Sequence, residues 1–139
     1  MYIIEKGQHG FTLTFRESIY AEELNRWLAA SERALAERQG RPFGVIVDMR
    51  YLLPLGPEAR AIILQGQHLF RKSGLQRSVV VLTSSAITNQ FRQLAQESGV
   101  CRSERYINAG HDPDWMEHPL AWLQSQIDPD KIPARHSTR

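Results

Sequence analysis

The chain has 139 residues, of which 42% are hydrophobic and 23% charged, and its formal net charge at pH 7 is +2. This length suits a single domain with one sizeable core, and the small charge excess gives no reason to expect nucleic acid or an anionic membrane as a partner. No apolar run approaches the roughly 18 residues of a membrane helix, and the first residues do not have the form of a signal peptide. The single cysteine, Cys101, rules out an internal disulfide, so we expect a reduced, cytoplasmic protein.

The first third of the chain predicts a β-hairpin followed by a helix. Residues 2–5 predict a short strand, and residues 11–15 alternate apolar and polar side chains, as a half-buried strand does. Apolar residues then recur at helical spacing from Ser18 onward. Gly40 and Pro42 end this predicted helix.

Three further strands are expected along the rest of the chain. Residues 43–49 and 78–82 are apolar runs rich in β-branched residues, typical of central strands that are covered on both faces, and residues 105–109 form a shorter last strand. The order β-β-α-β-α-β-α-β-α predicts one α/β domain over residues 1–127, with a mixed, mostly parallel sheet flanked by helices. Residues 128–139 contain few large apolar side chains and predict a flexible C-terminal tail.

A helix is expected after each of these three strands. Pro57 suits the first turn of one helix, because its missing N–H is not needed there, and Gly74 ends it. Gly99 ends the next helix. Asp112 is a good cap for the last helical segment, which Pro119 either kinks or restarts.

The loop YLLPLGPE, residues 51–58, is the most informative stretch for function. It contains large apolar side chains, whereas loops usually run over the surface. Two alternatives are open: these side chains fold back as a lid on the core, or they form an exposed patch that a partner covers. The candidate partner- or ligand-binding residues are Leu52, Leu53, Leu55, Gly56, Pro57, Glu58, Ser84 and Ser85.

Other polar clusters lack the spacing that catalysis or metal binding requires. Ser84 and Ser85 follow a buried strand, where they either cap a helix or bind an anion such as a phosphate or carboxylate. The segment HDPDWMEH, residues 111–118, is rich in potential ligands, but its two histidines lie about two helical turns apart, too far for one metal ion. Ser84, Cys101 and His111 fit no recognised nucleophile–base spacing. We therefore expect no catalytic residue, no metal and no cofactor.

Several short motifs, taken in order, resemble the SpoIIAA-like family, whose fold is that of STAS domains. They are VIVDMR at residues 45–50, QRSVVVL at 76–82, ERY at 104–106 and AWL at 121–123. The resemblance runs from about Phe11 to Leu123. It implies a small mixed sheet flanked by helices, and a role in protein interaction and regulation in a bacterial-type cytoplasm, with no catalytic activity common to the family.

The resemblance also implies a phosphorylation switch that this sequence alters. Anti-anti-sigma factors of this family carry an Asp-Ser-Ser-Gly motif after the same strand, and a kinase phosphorylates a serine at the start of the next helix. Asp48 matches that pattern, but no hydroxyl residue occurs between Tyr51 and Ser73. Glu58 falls near the acceptor position, where it either imitates the charge of a phosphate or simply favours the first helical turn.

These observations predict a non-catalytic regulatory or protein-interaction domain that lacks the phosphorylatable serine. We expect it to bind a protein partner, or a second copy of itself, through residues 52–58 and the adjoining helix. The first alternative is a module that binds a small, apolar or lipid-like molecule between this loop and residues 83–85. A small hydrolase-type enzyme is the last alternative.

Overall fold

A computed structural model describes residues 1–132 of the chain. The strands within these residues are β1 (Tyr2–Gly7), β2 (Gly10–Phe15), β3 (Phe43–Asp48), β4 (Leu75–Leu82) and β5 (Glu104–Asn108). The α-helices are α1 (Ala21–Ala36), α2 (Pro57–Lys72), α3 (Ser85–Ser98) and α4 (His118–Ser125). Short 3-10 turns occupy Val100–Arg102, Trp115–Glu117 and Pro129–Lys131. The α/β class and the mixed sheet that the sequence predicts are confirmed.

The five strands lie side by side in the order in which they occur along the chain. β1 and β2 form an antiparallel hairpin, and β2, β3, β4 and β5 are parallel to one another. Successive right-handed crossovers that advance in one direction put their helices on the same face of the sheet. Accordingly α1, α2 and α3 share one face, whereas α4 packs on the opposite face.

Each face of the sheet has its own apolar core. In the larger core Trp27 of α1 stacks on Phe70 of α2, with the ring centroids 6.1 Å apart. Gly66 permits this approach of the two helices, because a Cβ at this position would lie 2.2 Å from the Trp27 ring. In the smaller core Trp122 of α4 packs on the sheet, and its indole N–H donates a hydrogen bond to the carbonyl oxygen of Ser78 at 3.0 Å.

Two helix starts differ from the prediction. α1 begins at Ala21 rather than near Ser18, because the chain before it is still paired: the N–H of Glu17 donates to the carbonyl oxygen of Tyr51 at 2.8 Å. α4 begins at His118, with Pro119 in its first turn, so the proline restarts the helix. Asp112 caps no helix but stabilises a local turn, accepting a hydrogen bond from the N–H of Asp114 at 2.9 Å.

The described part of the predicted tail lies against the sheet. Residues 128–132 form a turn beside β5, and the Arg105 Nε donates to Asp128 Oδ1 at 2.9 Å. This hydrogen bond holds the pKa of Asp128 below its usual range. Residues 133–139 of that tail lie outside the described residues. No helix in residues 1–132 is long and apolar enough to cross a membrane.

Candidate functional site at the carboxyl edge of the sheet

The loop that joins β3 to α2 lies at the carboxyl edge of the parallel strands, where α/β proteins commonly bind ligands. On one side it pairs with the connection between β2 and α1, where the N–H of Leu53 donates to the carbonyl oxygen of Glu17 at 3.0 Å. On the other side the Gln90 side chain of α3 bonds both the N–H (3.1 Å) and the carbonyl oxygen (3.2 Å) of Leu55. The loop is therefore held in place from both sides.

The large apolar side chains of this loop divide between the core and the surface. Leu52 and Leu55 are 5% and 6% exposed and belong to the larger core. Tyr51 and Leu53 are 60% and 53% exposed. The alternative of a lid on the core thus describes Leu52 and Leu55, and the alternative of an exposed patch describes Tyr51 and Leu53. Leu53 is thus turned to solvent, whereas Leu52 and Leu55 hold the loop on the core.

A groove of about 690 Å³ runs between the N-terminal ends of α1 and α2, next to the loop. Tyr20 and Glu22 line it on the α1 side, and Pro54, Pro57 and Glu58 line it on the α2 side. Tyr20 is 73% exposed, and the sequence analysis did not single it out. Its signal in the sequence is weak, because Tyr20 lies within the helix predicted from Ser18 onward and only the structure shows that it precedes α1, at the N-cap position. The structure thus places Tyr20 across this groove from the predicted site residues Pro57 and Glu58.

An ion pair supports the base of the loop. Arg50 donates through Nε and Nη2 to the two carboxylate oxygens of Asp48, at 3.0 Å and 2.9 Å. Its guanidinium carbon lies 4.8 Å from the ring centroid of Trp115, which comes from the connection between β5 and α4. Burial acts to raise the pKa of Asp48, but the hydrogen bonds and charge of Arg50, with the charge of Arg16, outweigh it and hold that pKa below its usual value. Asp48 is thus an ionised, paired carboxylate.

The hydroxyl cluster after β4 takes part in local structure. Ser84 caps α3 by accepting a hydrogen bond from the N–H of Ile87 at 3.3 Å. Thr83 donates to the carbonyl oxygen of Arg50 at 2.8 Å, which ties this turn to the loop after β3. Ser85 is exposed. The capping role expected of Ser84 is therefore observed, and anion binding at Ser84 and Ser85 stays a prediction.

The residues that the enzyme alternative needs lie at both ends of the parallel strands. Ser84 follows β4 at the carboxyl edge, whereas Cys101 precedes β5, at the opposite end of the parallel strands. His111 lies at the carboxyl edge, after β5. His118 is engaged elsewhere, with its Nε2 at 2.7 Å from Asp112 Oδ2. Across residues 1–132, no three His, Cys, Asp or Glu side chains are arranged to hold a metal ion.

A buried acid, Glu104, was not singled out as a chemical group by the sequence analysis. Its Oε2 accepts a hydrogen bond from the Ser78 hydroxyl at 2.8 Å, and its Oε1 lies 2.6 Å from the Tyr106 hydroxyl. Burial raises the pKa of Glu104, and these hydroxyl contacts oppose the rise only in part. A protonated Glu104 donates to Tyr106, which in turn donates to the carbonyl oxygen of Phe91 at 3.2 Å. The neutral acid therefore satisfies every group in this chain of hydrogen bonds.

Glu104 and Ser78 also line a small cavity inside the larger core. The cavity measures about 60 Å³, and most of its lining side chains are apolar. A single water needs about 10–15 Å³ of such volume, so the cavity holds only a few small atoms or molecules.

Comparison with known proteins does not identify the chain: no family model matches it, and a search of curated proteins finds no significant match. The likeness to the SpoIIAA-like family therefore depends on the motifs quoted above and stays a prediction.

Proposed function

We propose that this chain is a non-catalytic regulatory or protein-interaction domain of the cytoplasm that binds a protein partner through the surface formed by Tyr20, Leu53, Pro54 and Glu58, hereafter the loop surface. One observation carries the proposal: a loop hydrogen-bonded on both sides nevertheless turns Leu53 to solvent. A loop whose backbone is already held in place loses little conformational entropy on binding, which favours association.

The resemblance to SpoIIAA-like and STAS domains supports the same surface. In that family the loop after this strand and the start of the next helix carry the regulatory serine, and here Glu58 lies exposed in the first turn of α2. On this proposal the negative charge of Glu58 is permanent, so partner binding does not depend on phosphorylation at this position.

The test compares two substitutions of exposed leucines. Leu53→Asp places a charge in the loop surface, and Leu120→Asp makes the same change on α4, at a residue that is 45% exposed. Neither side chain is buried, so we expect the free energy of unfolding of both variants to lie within about 0.5 kcal/mol of that of the unchanged protein. In quantitative co-purification from the host, we expect the Leu53 variant to recover at least about tenfold less partner protein than the unchanged chain does. The reason is that a charge at an apolar contact leaves an unpaired group in the interface.

Equal recovery of the partner by both variants would contradict the proposal. Loss of the partner by the Leu120 variant alone would move the interface to α4. Substitution of Leu55 is unsuitable for this test, because a charge at this buried position costs folding stability whether or not the loop binds anything.

The core cavity supports a second candidate function, the binding of a small apolar molecule. Its volume of about 60 Å³ suits a ligand of a few heavy atoms and not a lipid chain. A protein that binds such a molecule only when folded melts at a higher temperature in its presence. Thermal unfolding under xenon pressure tests this alternative, and an unchanged melting temperature would exclude it.

A further inference from the structure

β1 is an edge strand with hydrogen-bonding groups that point away from the sheet. Met1 and Arg16 exchange both backbone hydrogen bonds, at 3.1 Å and 3.0 Å, and the antiparallel register continues from this pair to the turn. Such bonds alternate along an antiparallel pair. The N–H and C=O groups of Tyr2, Ile4 and Lys6 therefore point outward, and no residue of the described chain bonds to them.

The two edges of the sheet differ in their protection. β5, at one edge, has the turn Pro129–Lys131 beside it, held by the ion pair of Arg105 with Asp128. β1, at the other edge, contains no proline and no bulge in its pairing with β2. Proteins usually guard an open edge with such features, or with charge, because an unpaired edge is a template for another strand.

The composition of β1 favours pairing with another strand. Tyr2, Ile3 and Ile4 are consecutive apolar residues, and all three are only partly buried. The charges at the two ends of the strand are matched by α1. The amino group of Met1 lies 3.2 Å from a carboxylate oxygen of Glu23, and Lys6 forms an ion pair with Glu37. The charges of Met1 and Lys6 are thus compensated within each chain, which leaves Glu5 as the one exposed charge of β1 without an ion pair among the described residues.

We propose that β1 pairs antiparallel with β1 of a second copy of this chain, about a two-fold axis at Ile4, so that the two sheets become one. In this register Ile4 faces Ile4 of the second copy, and Tyr2 faces Lys6. Every outward N–H and C=O group of the three residues then finds a partner, because Tyr2, Ile4 and Lys6 are the positions that exchange hydrogen bonds about this axis. None of these residues belongs to the loop surface, so the dimer is independent of the proposed function.

Sedimentation equilibrium of the full chain, over a concentration series that reaches the millimolar range, tests the dimer. Lys6→Pro removes an outward N–H without breaking a bond to β2, a substitution that edge strands tolerate. Lys6→Ala is the matched control, since it also loses the Lys6 side chain but keeps the N–H. We expect a dimer of twice 15.9 kDa for the unchanged protein and for Lys6→Ala, and at least about tenfold weaker association for Lys6→Pro. An unchanged protein that stays monomeric, or a Lys6→Pro variant that associates as before, would overturn the proposal.

Disulfide trapping tests the register without relying on the stability of the proline variant. In a Cys101→Ser background, Ile4→Cys brings two cysteines opposite each other in a hydrogen-bonded pair, with Cα atoms about 5.5 Å apart, within the range of a disulfide. Tyr2→Cys is the control, because its two copies lie about 14 Å apart along the strands. We expect the Ile4 variant to form a covalent dimer on mild oxidation and the Tyr2 variant not to do so. The reverse pattern, or no covalent dimer from Ile4→Cys, would overturn the proposed pairing.

Discussion

Glu104 is the only buried carboxylic acid in residues 1–132. Burial favours its neutral form and raises its pKa, and the hydrogen bonds of its two carboxyl oxygens with the Ser78 and Tyr106 hydroxyls oppose that rise only in part. Burial also raises the pKa of Tyr106, and the neighbouring Glu104 adds to the rise. Arg92 lies over the Tyr106 ring, with its guanidinium carbon 4.7 Å from the centroid, and its positive charge opposes the rise in the pKa of Tyr106.

A raised pKa in the folded state makes stability fall as the pH rises. Below about pH 4, Glu104 is protonated in both the folded and the unfolded chain, so its titration does not make stability depend on pH there. Above about pH 4, Glu104 ionises first in the unfolded chain. Each pH unit between its unfolded and its folded pKa then lowers the free energy of unfolding by about 1.4 kcal/mol. We therefore expect the stability contributed by neutral Glu104 to be lost progressively until the pH passes its folded pKa.

Substitution of Glu104 by Gln tests this assignment. Gln has the shape of the protonated acid and no proton to lose, so the stability of the Glu104→Gln variant should fall less between about pH 5 and pH 8 than that of the unchanged protein. Urea unfolding at both pH values measures the difference. If the free energy of unfolding changed equally with pH in the two proteins, Glu104 would be ionised in the folded state. Asp48, whose folded pKa is lowered, does not disturb this comparison, because its contribution is lost only as the pH falls through that pKa.

Gly66 is required by the contact between α1 and α2. A Cβ at Gly66 would overlap the Trp27 ring, so we expect Gly66→Ala to lower the free energy of unfolding by about 3 kcal/mol. Gly56→Ala is the matched control: it has no atom within 4 Å of the added Cβ and an ordinary φ of −76°. Because Gly56 is the N-cap of α2, where glycine is preferred to alanine, we expect Gly56→Ala to lower the free energy of unfolding by at most about 1 kcal/mol. Equal effects of the two substitutions in urea unfolding would argue against the close packing of these helices.

Local signals predicted some residues well and missed others. Gly99 was expected to end a helix, and it does so with a φ of 85°, a conformation that glycine adopts easily. The burial of Glu104 could not be foreseen, because a glutamate in the pattern ERY has no local mark of burial. Its hydroxyl partner Ser78 comes 26 positions earlier in the chain and is brought next to it only by the pairing of β4 with β5.

At the scale of elements, the fixed loop after β3 depends on a helix that follows a later strand. Gln90 of α3 bonds both backbone groups of Leu55, so we expect Gln90→Ala to cost about 1–2 kcal/mol and to speed hydrogen exchange in residues 51–56. Gln93→Ala, an exposed position on the same helix, is the control and should change neither quantity. Unchanged exchange in the Gln90 variant would show that the loop is held by its buried leucines alone.

The type of each element was easier to predict than its limits. Hydrophobic periodicity located β3 and α2 because their apolar residues face a core throughout. β4 begins at Leu75, three residues before the predicted start at 78, and its backbone is already paired with β3 there. The prediction was late because Gln76 and Arg77 interrupt the apolar run. The division of the loop between core and surface was left open by the sequence, since Leu52, Leu53 and Leu55 are the same residue type and differ only in the direction they face.

At the scale of the whole molecule, α4 closes the face of the sheet opposite to α1, α2 and α3. Trp122 anchors it by packing on the sheet and by hydrogen bonds from its N–H to Ser78 (3.0 Å) and Ser103 (3.2 Å). We expect Trp122→Phe, which keeps an aromatic ring but loses the donor, to lower the free energy of unfolding by about 1–2 kcal/mol. Calorimetric unfolding measures this change. An unaltered melting temperature would mean that packing alone holds the helix.

The fold class could be predicted from the sequence, whereas the full arrangement of the candidate site could not. Alternating strand and helix patterns imply a largely parallel sheet, whose carboxyl edge gathers the loops. Which loops touch depends on the order of the strands. Because β2 and β3 are neighbours, Tyr20 lies across a groove from Pro54 and Pro57, and no local pattern brings these residues together.

The most direct test of the central claim, that Leu53 lies in a partner-binding surface, is site-specific photo-crosslinking in the host cell. A photoreactive amino acid replaces Leu53 in one variant and Leu120 in the other, and the covalent products are compared by mass. The proposed function predicts one dominant adduct with another protein from position 53 and none from position 120. Adducts from both positions in equal yield, or none from position 53, would contradict it.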